Sequence, residues 1–110
     1  MKQYVIDELR YEDYQKVKTF LDETCKAGAL SGVYWMTVPD DKLTELQLSH
    51  TDCQPYHVGI ELEEDHVSCG FLIRASGNIR CHCIAYATVE QRNWVIDTLD
   101  AMFEKIGIII

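Results

Sequence analysis

The chain has 110 residues, of which 47% are hydrophobic and 25% are charged, and its formal net charge is −8. These proportions are typical of one globular domain with its own core, and they exclude a disordered chain. No apolar run reaches the roughly 20 residues of a membrane span, and the first residues lack the apolar stretch of a signal peptide. We therefore expect a soluble cytoplasmic protein.

The negative charge is concentrated in the first part of the chain. Residues 1–66 contain fourteen of the eighteen acidic residues but only six of the ten basic residues. Because this charge repels phosphate groups, we expect neither nucleic acid nor an anionic membrane as a partner. A basic protein partner is consistent with it.

The first half of the chain predicts a strand, a helix and a second strand. Residues 3–9 alternate loosely, as in an edge strand or an extended lead-in. From Tyr11 onward, apolar residues recur at intervals of three and four, which predicts a helix that Gly28 ends. Residues 32–38 are rich in aromatic and β-branched residues, apolar on both faces, and predict a strand that lies centrally or beneath two layers. We interpret residues 40–50 as a short helical turn or a loop.

The middle of the chain predicts three antiparallel strands. Residues 56–62 alternate between apolar and polar side chains, as in a half-buried strand. Residues 67–74 form the next strand. Residues 79–87 form the last one, and Gly77-Asn78 between these two is typical of a two-residue hairpin turn.

The last part of the chain predicts a long amphipathic helix. Thr88 and Gln91 have the spacing of a capping box, and Gly107 supplies the end. The predicted apolar stripe consists of Val95, Leu99, Met102, Phe103 and Ile106. Residues 108–110 are all isoleucine, and we expect them to pack within the chain or against a second copy, which makes a homodimer plausible.

These elements follow the order β-α-β-β-β-β-α and predict one α+β domain over residues 1–110. We expect an antiparallel curved sheet with helices on one face. The order resembles the TATA-binding-protein-like or helix-grip arrangement, in which such a sheet curves around a C-terminal helix. In general character the chain also resembles short cytosolic proteins of bacteria. Neither resemblance implies an activity.

Cysteine and histidine are concentrated in residues 50–83, which contain all four histidines and four of the five cysteines. An odd number of cysteines favours free or metal-bound thiols in a reducing compartment. Thiolates and imidazoles are ligands that Zn²⁺ and Fe²⁺ prefer. As a ligand set we predict Cys53, His57, Cys81 and Cys83, with His50 as the alternative to His57.

The predicted strand counts against this metal site. On a straight strand, the sulfurs of Cys81 and Cys83 would lie about 6 to 7 Å apart, too far for one tetrahedral ion. With Ala85 and Ala87 they form a face of small side chains on which the last helix can pack closely. We therefore favour buried structural thiols over a metal site.

Two further interpretations give the cysteines chemistry. Cys53 lies near His50 and His57 in the sequence, as a nucleophile beside a base would, but no motif indicates an oxyanion donor. Cys81 and Cys83 would alternatively form a redox pair.

Other residues suggest a ligand site. Arg74 and Arg80 flank the predicted hairpin turn and would together bind an anion. A cavity between sheet and helix would be lined by Tyr34, Trp35, Tyr56 and Tyr86.

From the sequence we expect a binding or protein-interaction module without catalysis or cofactor, whose partner is a protein or a small ligand. The alternative is a metal-binding protein or metal-dependent enzyme that uses the cysteine and histidine cluster with Zn or Fe.

Overall fold

An antiparallel sheet forms the centre of the structure. The structure is a computed structural model that describes residues 2–77 and 80–109. Over these residues the sheet has seven strands: β1 Gln3–Ile6, β2 Lys26–Ala27, β3 Val33–Thr37, β4 Tyr56–Leu62, β5 Val67–Gly70, β6 Leu72–Ala75 and β7 Ala85–Tyr86. The main strand order is β1-β5-β4-β3-β2, and β6 pairs with both β4 and β7. The predicted edge position of the first strand is confirmed.

Helices and short turns connect these strands. The described residues form three α-helices: α1 Tyr11–Thr24, α2 Glu45–Ser49 and α3 Val89–Lys105. Two 3₁₀ turns, Asp40–Lys42 and Thr51–Cys53, precede and follow α2. Of the helical turn and the loop that were alternatives for residues 40–50, the structure has helical turns. None of the described helices has the length and apolar character needed to cross a membrane.

One face of the sheet is buried beneath α1 and α3. Along β4, apolar side chains alternate with half-buried or exposed residues, as the sequence predicts. The core includes Val17 and Leu21 from α1, Tyr56, Val58, Ile60 and Leu62 from β4, and Val95, Leu99, Met102 and Phe103 from α3. The α+β class and the single domain are confirmed. The finer resemblance to a TATA-binding-protein-like or helix-grip arrangement stays a prediction.

Helix α3 begins and ends as the sequence predicts. The Thr88 hydroxyl accepts a bond from the Gln91 amide at 3.2 Å, and the Gln91 side chain accepts one from the Thr88 amide at 3.1 Å. At the other end, beyond Gly107, the amide of Ile108 donates to the carbonyl of Phe103 at 2.9 Å. This bond belongs to a Schellman motif, in which the residue after the terminal glycine turns back onto the helix.

The isoleucines at the end of the chain are divided between core and solvent. Ile108 is buried, whereas Ile109 is 98% exposed. Ile110 lies outside the described residues. The expected packing therefore holds for Ile108, and the homodimer stays a prediction.

Helix α1 begins at Tyr11 as predicted but ends at Thr24, before the expected Gly28. The backbone becomes extended at Cys25, and Lys26–Ala27 then pairs with β3. The backbone N–H and C=O groups of Lys26–Ala27 pair with β3, so they are not available for another helical turn.

The predicted strand 67–74 is two strands with a bulge between them. Ile60 of β4 lies opposite Cys69, and Tyr56 of the same strand lies opposite Ala75. The segment from Cys69 to Ala75 is therefore two residues longer than the segment of β4 that it faces, Tyr56 to Ile60. A bulge of this kind bends a strand and increases its twist.

Phe71 lies at the bulge, and its backbone bonds to the segment before β1 and to the segment after β7. Its amide donates to the carbonyl of Lys2 at 3.0 Å, and its carbonyl accepts a bond from Ala87 at 2.7 Å. The backbone groups that leave the β4 ladder are thus satisfied by the segments before β1 and after β7.

The predicted strand 79–87 is wrong for most of its length. Among its described residues, 80–87, only Ala85–Tyr86 is a strand, and its antiparallel pairing with β6 is confirmed. Residues 80–84 form turns, in which the amide of Ile84 donates to the carbonyl of Cys81 at 3.1 Å. The side chain of Cys83 is buried and packs in the core. This packing replaces further pairing with β6.

The predicted Gly77-Asn78 hairpin turn is only partly described, because residues 78 and 79 lie outside the described ranges. The pair of the β6–β7 ladder nearest to the turn is Ile73 with Ala85. The connection between the paired residues is therefore longer than the two-residue turn that we expected.

Two buried glutamines join the helices at one end of the core. Gln47 and Gln91 are 2% and 1% exposed. The Gln91 amide group donates to Gln47 Oε1 at 2.9 Å and to the carbonyl of Lys42 at 2.9 Å. Each glutamine is also the third residue of a capping box, at the start of α2 for Gln47 and of α3 for Gln91. The bond between them fixes one helix start against the other.

We predict that Gln91→Ala lowers the free energy of unfolding by about 2 to 4 kcal/mol, because it removes the side-chain half of the α3 capping box and leaves the buried partners of the Gln91 side chain unpaired. Urea denaturation checks this value. Gln15→Ala, at an exposed position of α1, is the matched control and should change stability by less than about 0.5 kcal/mol. A loss for Gln91→Ala as small as that of the control would contradict the role of this network.

Candidate metal centre

Four cysteine and histidine side chains converge at one end of the core. The ligand atoms of His50, Cys53, Cys81 and Cys83 all lie within 4.8 Å of one another. The first two follow helix α2, and the other two lie in the connection between β6 and β7. Two segments that are distant in sequence therefore contribute two potential ligands each.

Local structure after α2 brings His50 and Cys53 to the same side. His50 ends α2, and its amide donates to the carbonyls of Leu46 and Gln47. The next turn closes when the Cys53 amide donates to the carbonyl of His50 at 2.9 Å. His-x₂-Cys on such a turn has the same spacing as one half of a zinc knuckle.

The start of the β6–β7 connection lies directly against this turn. The amides of Ser76 and Gly77 donate to the carbonyl of Cys53 at 3.0 and 3.4 Å. A Cβ atom at Gly77 would lie 1.7 Å from the carbonyl oxygen of Asp52. Only glycine therefore permits this close approach of the two backbones.

A tight turn brings Cys81 and Cys83 together. The amide of Cys83 donates to Cys81 Sγ at 3.5 Å, and His50 Nδ1 lies 3.0 Å from the same sulfur. Because an N–H group that points at sulfur favours the thiolate, the amide and thiol of Cys83 lower the pKa of Cys81 to about 6. The distance argument against a metal applied to a straight strand, and the turn removes it.

The other two thiols are buried. Burial, together with the neighbouring thiols of Cys83 and Cys81, raises the pKa of Cys53 to about 12. The hydroxyl of Tyr56 donates to Cys83 Sγ at 3.2 Å, and burial raises the pKa of this tyrosine as well. The thiolate is therefore disfavoured at Cys53 and favoured at Cys81.

The arrangement fits a small tetrahedral ion. Ligand atoms at 2.0 to 2.3 Å from Zn²⁺ lie about 3.5 to 3.8 Å from one another. Shifts of about 1 Å would bring the present separations into that range. Three cysteines and one histidine are a common structural zinc set, and a metal ion deprotonates the thiols that bind it.

The structure brings together three of the four predicted ligands, and His50 accompanies them in place of His57. His57 lies on the opposite face of the sheet, because it follows the buried Tyr56 on β4. Its Nδ1 atom is 3.2 Å from Ser76 Oγ, and its ring lies 4.6 Å from that of Trp35. The His-x₂-Cys spacing in the sequence would have identified His50.

The remaining histidine and cysteine residues lie outside this group of four. His82 is exposed, and its ring packs edge-on against that of His50 at 5.1 Å. Cys69 is buried in β5, and Cys25 is half-buried after α1.

The arginines predicted to bind an anion are both exposed. Arg74 lies on β6 opposite His57, on the face of the sheet away from the helices. Arg80 immediately precedes Cys81 in the β6–β7 connection.

The four aromatic residues predicted to line a cavity lie in three different environments. Tyr34 and Tyr56 are buried on the helix side, where the Tyr34 hydroxyl donates to Asp22 at 2.6 Å. Trp35, the residue after Tyr34, is half-buried on the opposite face. Tyr86 is 45% exposed.

Comparison of the chain with protein-family models, with curated proteins and with solved structures found no match in any of the three.

We predict that Cys81 is the first cysteine to be alkylated in reduced, metal-free protein. It is half-buried and its pKa is lowered to about 6, whereas burial raises the pKa of Cys53 and Cys69 to about 12. Peptide mass spectrometry after brief iodoacetamide treatment measures each rate, and the Cys81 rate should fall as the pH falls through about 6. Cys25 is the internal control, because it is also half-buried but has a raised pKa. Equal rates for Cys25 and Cys81 at neutral pH would contradict this assignment.

Proposed function

We propose that the protein is a non-catalytic zinc-binding module in which His50, Cys53, Cys81 and Cys83 hold one Zn²⁺. The observation that supports this proposal is the separation of at most 4.8 Å among four ligand atoms from two distant segments. Four protein ligands complete a tetrahedral shell and leave no position for water or substrate. The set therefore favours a structural metal over a metal-dependent enzyme.

The ion would fix the connection between β6 and β7 to the end of α2. Strand β7 has only two residues, too few to hold a hairpin of this length in place by backbone pairing alone. Because the four ligands come together only in the folded chain, the free energy of zinc binding adds to the stability of the fold.

A reducing compartment suits this role, and we place the protein in the cytoplasm. All five cysteines are free thiols. Thiols are maintained in reducing compartments, where cysteine clusters bind metals more often than they form disulfides. A module without catalysis acts through what it binds, and the acidic first part of the chain favours a basic protein as partner.

Metal content is the direct test. Tag-free protein purified without chelator should contain close to one Zn per chain by elemental analysis. Free-thiol titration of the same sample under denaturing conditions reports cysteine oxidation. Substoichiometric metal in protein with five titratable thiols would overturn the proposal, and stoichiometric iron would change the identity of the metal.

Variants test which residues bind the ion. We expect His50→Ala and the double variant Cys81→Ala, Cys83→Ala to lose zinc, whereas His57→Ala and Cys25→Ser keep it. Free Zn²⁺ at about 100 times its dissociation constant should stabilise the wild type by about 2.7 kcal/mol and leave the double variant unchanged. Thermal unfolding with and without chelator measures this difference. A double variant that folds and melts at the wild-type temperature would exclude a structural metal at this position.

A further inference from the structure

The sheet face opposite the helices forms an open groove. Side chains of the described residues on this face are exposed or half-buried, with Ser68 as the buried exception. The groove has a volume of about 1340 Å³ including solvent at its mouth, and Trp35, His57, Leu72 and Arg74 contribute to its lining. It does not contain the four proposed metal ligands.

Trp35 provides a flat aromatic wall in this groove. A Cβ atom on Gly59 would lie 3.1 Å from Cζ3 of the indole, so the ring lies directly over the glycine backbone. The imidazole of His57 packs edge-on against the indole. The missing side chain at Gly59 thus allows the indole to lie flat along the sheet and keep its outer side accessible.

The groove also contains two cations. Lys26 is the cross-strand neighbour of Trp35, and Arg74 is that of His57. Neither cation forms an ion pair with any residue in the ranges 2–77 and 80–109. After desolvation by burial, these two charges are the causes that lower the pKa of His57.

The groove therefore favours an anion with a flat apolar part. Among the described residues that line this face, the carboxylate of Glu61 lies opposite Val33, on the far side of Gly59 from His57 and its partner Arg74. A polyanion would meet the overall negative charge of the chain, which restricts the ligand to a small molecule.

We propose that this groove binds a small aromatic carboxylate, with its ring against Trp35 and its carboxylate on Arg74. Arginine pairs with carboxylates through two parallel hydrogen bonds. Lys26, on the other side of Trp35, adds a second positive charge to the groove. The site is independent of the zinc proposal, since it shares no ligand residue with the metal centre.

Calorimetric titration with benzoate and 2-naphthoate tests the proposal, and neutral 2-naphthamide serves as the matched ligand. We expect saturable binding of the carboxylates at millimolar or lower concentration and at least tenfold weaker binding of the amide. Arg74→Gln should weaken carboxylate binding about tenfold, which corresponds to about 1.4 kcal/mol. Arg92→Gln removes the same charge at an exposed position of α3 and should leave binding unchanged.

The indole resonance of Trp35 locates the bound molecule. The chain has two tryptophans, so either Trp94→Phe or Trp35→Phe assigns the two indole N–H signals in a ¹H–¹⁵N spectrum. The Trp35 signal should shift on titration with 2-naphthoate while that of Trp94 does not. Absence of saturable binding, equal affinity for the amide, or equal losses in Arg74→Gln and Arg92→Gln would overturn the proposal. Metal content measured on the same samples shows separately whether the zinc proposal holds.

Discussion

The hydrogen bond between the side chains of Gln47 and Gln91 determines how the rest of the structure is arranged. Each glutamine caps the start of its own helix, so their contact fixes α2 against α3 inside the core. The amide group of Gln47 also lies 3.5 Å from the carbonyl of Cys83, to which it donates. Both halves of the cysteine and histidine cluster are thereby positioned by one buried polar network. Such networks specify a unique arrangement because each unpaired member would cost free energy.

The elements that the sequence predicted correctly are those with a strong local pattern. Alternation along residues 56–62 marks a strand with one buried face, and the spacing of Thr88 and Gln91 marks the start of a helix. These patterns depend on neighbouring residues only. The concentration of cysteine and histidine in residues 50–83 likewise indicated where to look for chemistry.

The details that sequence reasoning missed depend on contacts between distant segments. Cys81 to Ile84 have side chains that a strand accepts readily, but burial of Cys83 beside Tyr56 turns the chain inward instead. The predicted ligand set includes His57, with His50 as its alternative. Strand alternation places His57 beside Trp35, and the turn after α2 directs His50 towards Cys81.

The bulge at Phe71 allows two possible registers of β6 on β4 during folding. A shift of two residues keeps every side chain on the same face, so β6 would bury equivalent apolar groups with or without the bulge. Hydrophobic burial alone thus leaves two competing pairings, and the wrong one displaces the connection after β6 by about 7 Å. Cys81 and Cys83 would then lie too far from Cys53 to share a metal ion with it, and Gly77 would no longer pack against the backbone of Asp52. A metal ion bound at this position would favour the correct strand register, because it would stabilise only the chain in which β6 is correctly paired with β4.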